Sequence, residues 1–209
     1  MKFNFLLIAA VFLTFFSCED PDNPRYDEKA PLPILGERDF VNGDTIYHTA
    51  PDFRFINQDS VNISPALFEN RPYIVDYFFT TCPTICPRVK AEEIRVFDHF
   101  ENRPDLGFLS VSIDVGADKV YKLKEYAEKL GVGTPRWHFV TGDEDHIYDI
   151  ANDFFHIAQK DPDAPGGFDH DGRLILIDKN KHIRAFCDGQ VGKDVDRFIK
   201  DVEKLLREK

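Results

Sequence analysis

The 209-residue chain carries 37 acidic against 26 basic side chains, a formal charge of −11, and is 43% apolar. That apolar share builds one core of ordinary size and argues against global disorder, while an acidic chain without a basic cluster lacks the positive face that nucleic acid requires. No apolar run reaches the roughly 18 residues of a membrane-spanning helix, and no collagen or heptad repeat is present.

The chain opens on Lys2 and a 12-residue apolar block, Phe5 to Phe16, which ends in Ser17-Cys18-Glu19. A positive start followed by an apolar stretch of this length reads as a secretory signal over residues 1–17. A small residue and then Cys directly after it resembles a bacterial lipobox, which implies cleavage ahead of Cys18 and its diacylation. An ordinary signal peptide cut nearby is the alternative. Either reading exports the chain to an oxidising compartment; the lipoprotein reading anchors it to the membrane, facing the periplasm. Residues 18–36, with four prolines and few large apolar side chains, are expected to be a flexible linker, and 37–209 the folded domain.

Alternation over Phe53–Asn57 and Val61–Ile63 around Gln58-Asp59-Ser60 predicts a small hairpin. Tyr73–Phe79 is dense in β-branched and aromatic residues and predicts a central strand. A helix is expected over 87–101, a strand over 106–113, a helix over 117–130 stopped by Gly131, a strand over 137–140 and a helix over 143–155. Residues 158–171, with two Pro, two Gly and several Asp, read as a long loop. A hairpin over 173–178 and 182–187 and an amphipathic helix over 191–206 close the chain. Strands alternating with helices demand a mostly parallel sheet, and the last hairpin adds an antiparallel pair. The order predicts an α/β, thioredoxin-like fold: a central mixed β-sheet flanked by helices, with an N-terminal β-hairpin extension.

Sites in open α/β sheets gather where strands run into helices. There the chain reads Thr80-Thr81-Cys82-Pro83-Thr84-Ile85-Cys86-Pro87. Unpaired N–H groups and the positive helix end favour thiolate over thiol. If the helix starts by Thr84, the four-residue spacing puts both sulfurs on one side of its first turn. A Cys82–Cys86 disulfide of purely structural value is the bland alternative, and so short a loop would stabilise little. The redox-active pair is therefore Cys82 and Cys86. A third group is His170, in the loop entering the final hairpin, which thioredoxin-like topology sets opposite the active-site turn. Two thiolates and one imidazole suit copper, the sulfurs favouring Cu(I) and the imidazole helping to hold Cu(II). Structural zinc wants four ligands. The only Met is the first residue, so a thioether site is excluded.

On Thr81–Pro87, Ser112-Ile113-Asp114, Trp137–Gly142 and Asp169-His170 ahead of a strand, the chain resembles the SCO/SenC family over roughly residues 30–207. The resemblance implies a thioredoxin-fold copper chaperone for the CuA centre of cytochrome c oxidase subunit II. It also implies copper held by Cys82, Cys86 and His170, and thiol–disulfide reductase activity on the same target. Two departures stand out: Val115-Gly116 where Pro and polar residues are usual, which bears on partner contacts, and Asp171 where Ser is usual, which adds negative charge beside the metal site.

A thiol–disulfide oxidoreductase, with Cys82 attacking and Cys86 resolving, and a redox or copper sensor are the competing functions. A peroxidase would pair a low-pKa Cys with an Arg, and Arg88 is near. Cys187 reads as a buried inert thiol, and His48, His99, His138, His146, His156 and His182 as surface or packing residues. Asp114 is expected either to orient a ligand or to cap the next helix. Asp161, Asp163, Asp169 and Asp171 read as a solvated acidic loop.

Overall fold

The computed structural model describes residues 30–133 and 135–208; the expected signal and Cys18 lie outside them. A first hairpin pairs β1 (Arg38–Val41) with β2 (Asp44–Tyr47), and a second pairs β3 (Phe55–Asn57) with β4 (Asn62–Ile63). The βαβ body follows: β5 (Tyr73–Phe78), α1 (Cys86–His99), β6 (Gly107–Ser112), α2 (Val120–Leu130), β7 (Trp137–Thr141) and α3 (Glu144–Ala151). A short hairpin of β8 (Ala158–Lys160) and β9 (Phe168–His170) precedes β10 (Arg173–Ile177), β11 (Ile183–Asp188) and α4 (Gly192–Leu205).

Seven of these strands form one mixed sheet in the order β11-β10-β5-β6-β7-β3-β4. β5, β6 and β7 run parallel, while β10 and β3 flank them antiparallel. Every residue of β5 and β6 is buried. That burial explains their near-continuous apolar sequence, since a central parallel strand is covered on both faces. α4 turns Val195, Phe198, Ile199, Val202 and Leu205 inward. Aromatic rings fill the space under α1: Trp137 stacks on Phe139 at 5.3 Å and on Phe108 at 5.1 Å, with Phe97 also 5.1 Å away. This is the thioredoxin-like arrangement that the element order predicts.

The structure departs from expectation at four places. Residues 31–35, expected as linker, lie on the domain. Leu32 is buried, its N–H donates to Glu208 Oε1 (2.7 Å), the Arg184 guanidinium donates to the Leu32 and Pro33 carbonyls, and Leu35 N–H donates to Ile183 C=O (2.8 Å). Apolar side chains and a buried guanidinium with carbonyls to satisfy overcome the prolines' preference for an extended spacer. Second, the β1–β2 hairpin is an extra element around Asn42-Gly43, with Asn42 at φ 53 and Gly43 at φ 91. Third, the stretch 158–171 is not all loop, because β8 and β9 pair across it. Fourth, the helix expected over 143–155 ends at Ala151; a tight turn follows over Asn152–Phe154, and Phe155 adopts φ 64.

Candidate metal centre

β5 delivers the chain into a turn in which Cys82 N–H donates to Phe79 C=O at 3.2 Å. α1 begins only at Cys86, so the two cysteines do not share a helical turn as the spacing suggested: Cys86 opens the helix and Cys82 lies in the turn before it. The turn, rather than helical periodicity, makes the sulfurs converge. Both side chains are buried, and all three described cysteines are free thiols.

The third group arrives from the other side. β9 ends on His170, whose Nε2 lies 3.3 Å from Cys86 Sγ and 3.6 Å from Cys82 Sγ. One donor atom from each of Cys82, Cys86 and His170 falls within 4.8 Å of the other two. The imidazole stands edge-on to the Phe79 ring, centroids 5.0 Å apart at 65°. Phe168 packs on the same ring at 5.0 Å. Gly166, at φ 81, lets the β8–β9 loop cross this ring: a Cβ there would sit 2.8 Å from Phe79 and 3.3 Å from Pro83.

The two thiols are coupled. Hydrogen bonding from Cys86 pulls Cys82 down to about 4; burial opposes it, and the N–H groups of Cys86 and Thr84 together with the Thr84 hydroxyl reinforce it. The same bond, then burial, pushes Cys86 up. Cys82 is thus the thiolate of the pair, consistent with N–H donors gathered at a helix start.

Two buried polar clusters support the turn, and neither was legible as such. Asp118 accepts from Thr80 N–H (2.9 Å), Thr80 Oγ1 (2.5 Å) and Ser112 Oγ (2.6 Å), locking the end of β5 to β6 two residues before Cys82. Its partner is 38 positions away, beyond any local pattern. On the inner face of α1, Lys90 Nζ donates to Asp76 Oδ2 (2.8 Å), Glu93 Oε2 (2.8 Å) and Ser110 Oγ (2.7 Å). Burial works to discharge Lys90, but Asp76 and then Glu93 outweigh it and hold its pKa above the ordinary lysine range. A crevice with no room for a water molecule is lined by Asp76 and Lys90 of this cluster together with Cys86.

The remaining residues fall as follows. Asp114 does not reach the site: its carboxylate accepts from Ala117 N–H (3.0 Å) in the turn ahead of α2. Asp171 does not add a free charge beside the sulfurs, because its carboxylate is taken up by His156 Nδ1 (2.8 Å) and by the Ile157 N–H (2.9 Å). Cys187 is fully buried, and burial raises its pKa. Arg88 is exposed. His99 pairs with Glu203, His138 meets Asn57, and His182 faces Asp178. His48 meets the Asp153 carbonyl, and the His146 ring leans on Phe55.

Among solved structures, the chain is 26% identical to a SCO1/SenC family lipoprotein from Bacillus anthracis str. Ames (TM-score 0.69), covering 76% of this chain and 95% of that one. BsSco, described as a member of the Sco family of cytochrome c oxidase assembly proteins with a disulfide switch, is also 26% identical. Its TM-score is 0.68, with 78% and 95% covered. Arabidopsis thaliana ScoI, solved with copper bound, shares the fold at 21% identity and a TM-score of 0.64, with 76% and 98% covered. The SCO1/SenC family profile matches residues 43–207, a span that takes in both cysteines, the histidine and the whole parallel sheet: the chain belongs to the SCO1/SenC family.

Proposed function

We propose that the protein is a copper chaperone that carries copper on Cys82, Cys86 and His170 and passes it to the CuA site of cytochrome c oxidase subunit II. The observation that carries this reading is the convergence of two sulfurs and one imidazole nitrogen within 4.8 Å of one another. A site of two thiolates and one imidazole is soft enough for Cu(I) and offers Cu(II) a nitrogen. Three ligands on a surface-facing turn leave a side open for an incoming donor, so transfer proceeds by ligand exchange rather than by release into solvent. The Arabidopsis thaliana protein supports copper as the cargo at the level of the fold, and BsSco supports oxidase assembly as the setting.

A second reading rests on the paired thiols. Cys82, held as the thiolate, is placed to attack a disulfide on the same target; Cys86 then resolves the mixed disulfide, leaving Cys82–Cys86 oxidised and two target thiols reduced. The two roles are compatible, since reduced target cysteines are what a CuA site needs before it is filled. We further assign residues 1–17 to a signal peptide and Cys18 to a diacyl anchor that holds the domain at the membrane in the periplasm, with residues ahead of Pro31 as the tether.

The test is competitive titration of the reduced protein with Cu(I) and Cu(II) against chelators of graded affinity. About one copper per chain is expected, with Cys82→Ala, Cys86→Ala and His170→Ala each weakening binding by at least tenfold. Wild-type affinity in the His170→Ala variant removes that residue from the site. Mixing copper-loaded protein with an apo CuA domain, and following metal and thiols together, separates delivery from reduction.

A further inference from the structure

We propose that Asp171 and His156 are positioning residues that hold His170 at the two sulfurs, so that the third ligand is set before copper arrives. The inference rests on the copper reading above and extends it to residues that touch neither metal nor sulfur.

His170 sits on a hairpin of only three residues a side, with Ala158 as its cross-strand partner. Two-stranded ribbons this short are not stable by themselves. At the end that carries His170, the Asp171 carboxylate closes it. Asp171 Oδ2 accepts from Ile157 N–H at 2.9 Å, and Oδ1 accepts from Arg173 N–H at 3.2 Å, so the carboxylate grips the chain just before β8 and just after β9. Asp171 N–H in turn donates to Ile157 C=O at 3.3 Å. The Arg173 guanidinium donates to Phe155 C=O (2.8 Å) and faces Asp171 Oδ2 at 3.5 Å, tying in the chain still further upstream.

His156 then refers the clamp to the sheet. Its ring is buried, with Nδ1 2.8 Å from Asp171 Oδ1 and Nε2 3.4 Å from the Val75 carbonyl, and it lies against Tyr77 at 4.7 Å. Val75 and Tyr77 belong to β5, the strand that delivers Cys82. The two halves of the site are thereby fixed to one strand: the sulfurs by covalent continuation, the imidazole through Asp171 and His156. A half-buried carboxylate with three hydrogen-bonding nitrogens and a guanidinium around it, next in sequence to a ligand, resembles the arrangement that orients ligating histidines elsewhere, whose loss typically costs ten- to a hundredfold in metal affinity.

The experiment uses the full reduced chain with Asp171→Asn and, as a second variant that leaves Asp171 intact, His156→Gln. In the apo protein, NMR follows the His170 ring protons, which the edge-on Phe79 ring shifts away from free-histidine values. The shift is expected to collapse in both variants while the backbone spectrum outside β8–β9 is kept. Copper alone is then titrated in competition. Cu(II) affinity is expected to fall about ten- to a hundredfold and Cu(I) affinity less, because the two thiolates supply most of the hold on Cu(I). In a His170→Ala background neither variant is expected to lower affinity further, since both act through that ring. An unchanged His170 resonance, unchanged copper affinity, or an equal loss in the His170→Ala background overturns the proposal. Collapse of the ring shift in the two variants, together with a wild-type chain that takes up no copper, overturns the copper reading and leaves the clamp standing.

Discussion

Replacing Lys90 with methionine keeps the length and much of the volume of the side chain and removes its charge. The ammonium donates to Asp76, Glu93 and Ser110 within 2.8 Å and lies 4.5 Å over the Phe78 ring. Both carboxylates are at most 1% exposed, and each has a second oxygen, Asp76 Oδ1 and Glu93 Oε1, without a hydrogen-bond partner. Burial and then the Asp76 carboxylate favour a protonated Glu93, which leaves the cluster with one positive and one negative charge. Lys90→Met leaves the negative charge buried and unpaired, a change that costs about 3–5 kcal/mol. For a domain of this size that is a fall of roughly 6–20 °C in Tm. The assay is urea unfolding of the reduced protein at pH 7.5, read by the fluorescence of Trp137. That residue is the single tryptophan and donates from Nε1 to the same Ser110 hydroxyl at 2.8 Å. The midpoint should drop with the slope unchanged. The triple variant Lys90→Met, Asp76→Asn, Glu93→Gln should regain most of the loss, because no charge is then stranded. A loss under about 1 kcal/mol in the single variant, or no recovery in the triple, refutes the buried-charge argument.

Two further outcomes follow from the same cluster and from the cysteine pair. Burial and then the Asp76 carboxylate push Glu93 up to about 8 from an ordinary 4.5, so the folded chain keeps a proton there that the unfolded chain releases between those values; the stability it lends is complete below pH 4.5 and is lost as pH rises through 8. Glu93→Gln carries its hydrogens at every pH, and in paired urea titrations it should match the wild type near pH 5 and exceed it near pH 8.5; a difference that does not grow with pH contradicts this. With Cys82 at about 4, its alkylation by iodoacetamide in the reduced apo protein should be almost flat between pH 6 and 8, with a single adduct found on Cys82 by peptide mass spectrometry. A tenfold rise in rate per pH unit would show an ordinary thiol instead.

What was legible in the sequence was whatever a local pattern encodes. β5 announces itself because a strand covered on both faces is apolar almost throughout, and the Cys82–Cys86 turn follows from its position at the end of that strand. His170 was reachable only through topology: its neighbours Asp169 and Asp171 and the prolines upstream read as loop, and the strands that carry it are too short to show alternation. The β1–β2 hairpin had its Asn42-Gly43 signal, but almost all of its residues are exposed, so no buried face marks it. Lys90 and Glu93 sit three apart on a helix, where the pattern predicts a solvated pair; only the fold shows that this side of α1 faces Asp76 and the aromatic layer. The helix start at Cys86 likewise depends on the turn that Asp118 locks from the loop between β6 and α2, which no spacing within the segment records.

The β8–β9 loop is the place where composition misleads most about tolerance. Pro162, Pro165, Gly166 and Gly167 have the make-up of a segment that accepts almost any replacement, and a survey of variants would be expected to score it as neutral ground. Yet a Cβ at Gly166 would lie 2.8 Å from the Phe79 ring and 3.3 Å from Pro83, so an added side chain pushes the hairpin and its imidazole away from the cysteine turn. A replacement at this residue therefore acts on the distance between ligands that lie elsewhere in the chain, through a position that itself contributes no chemistry at all.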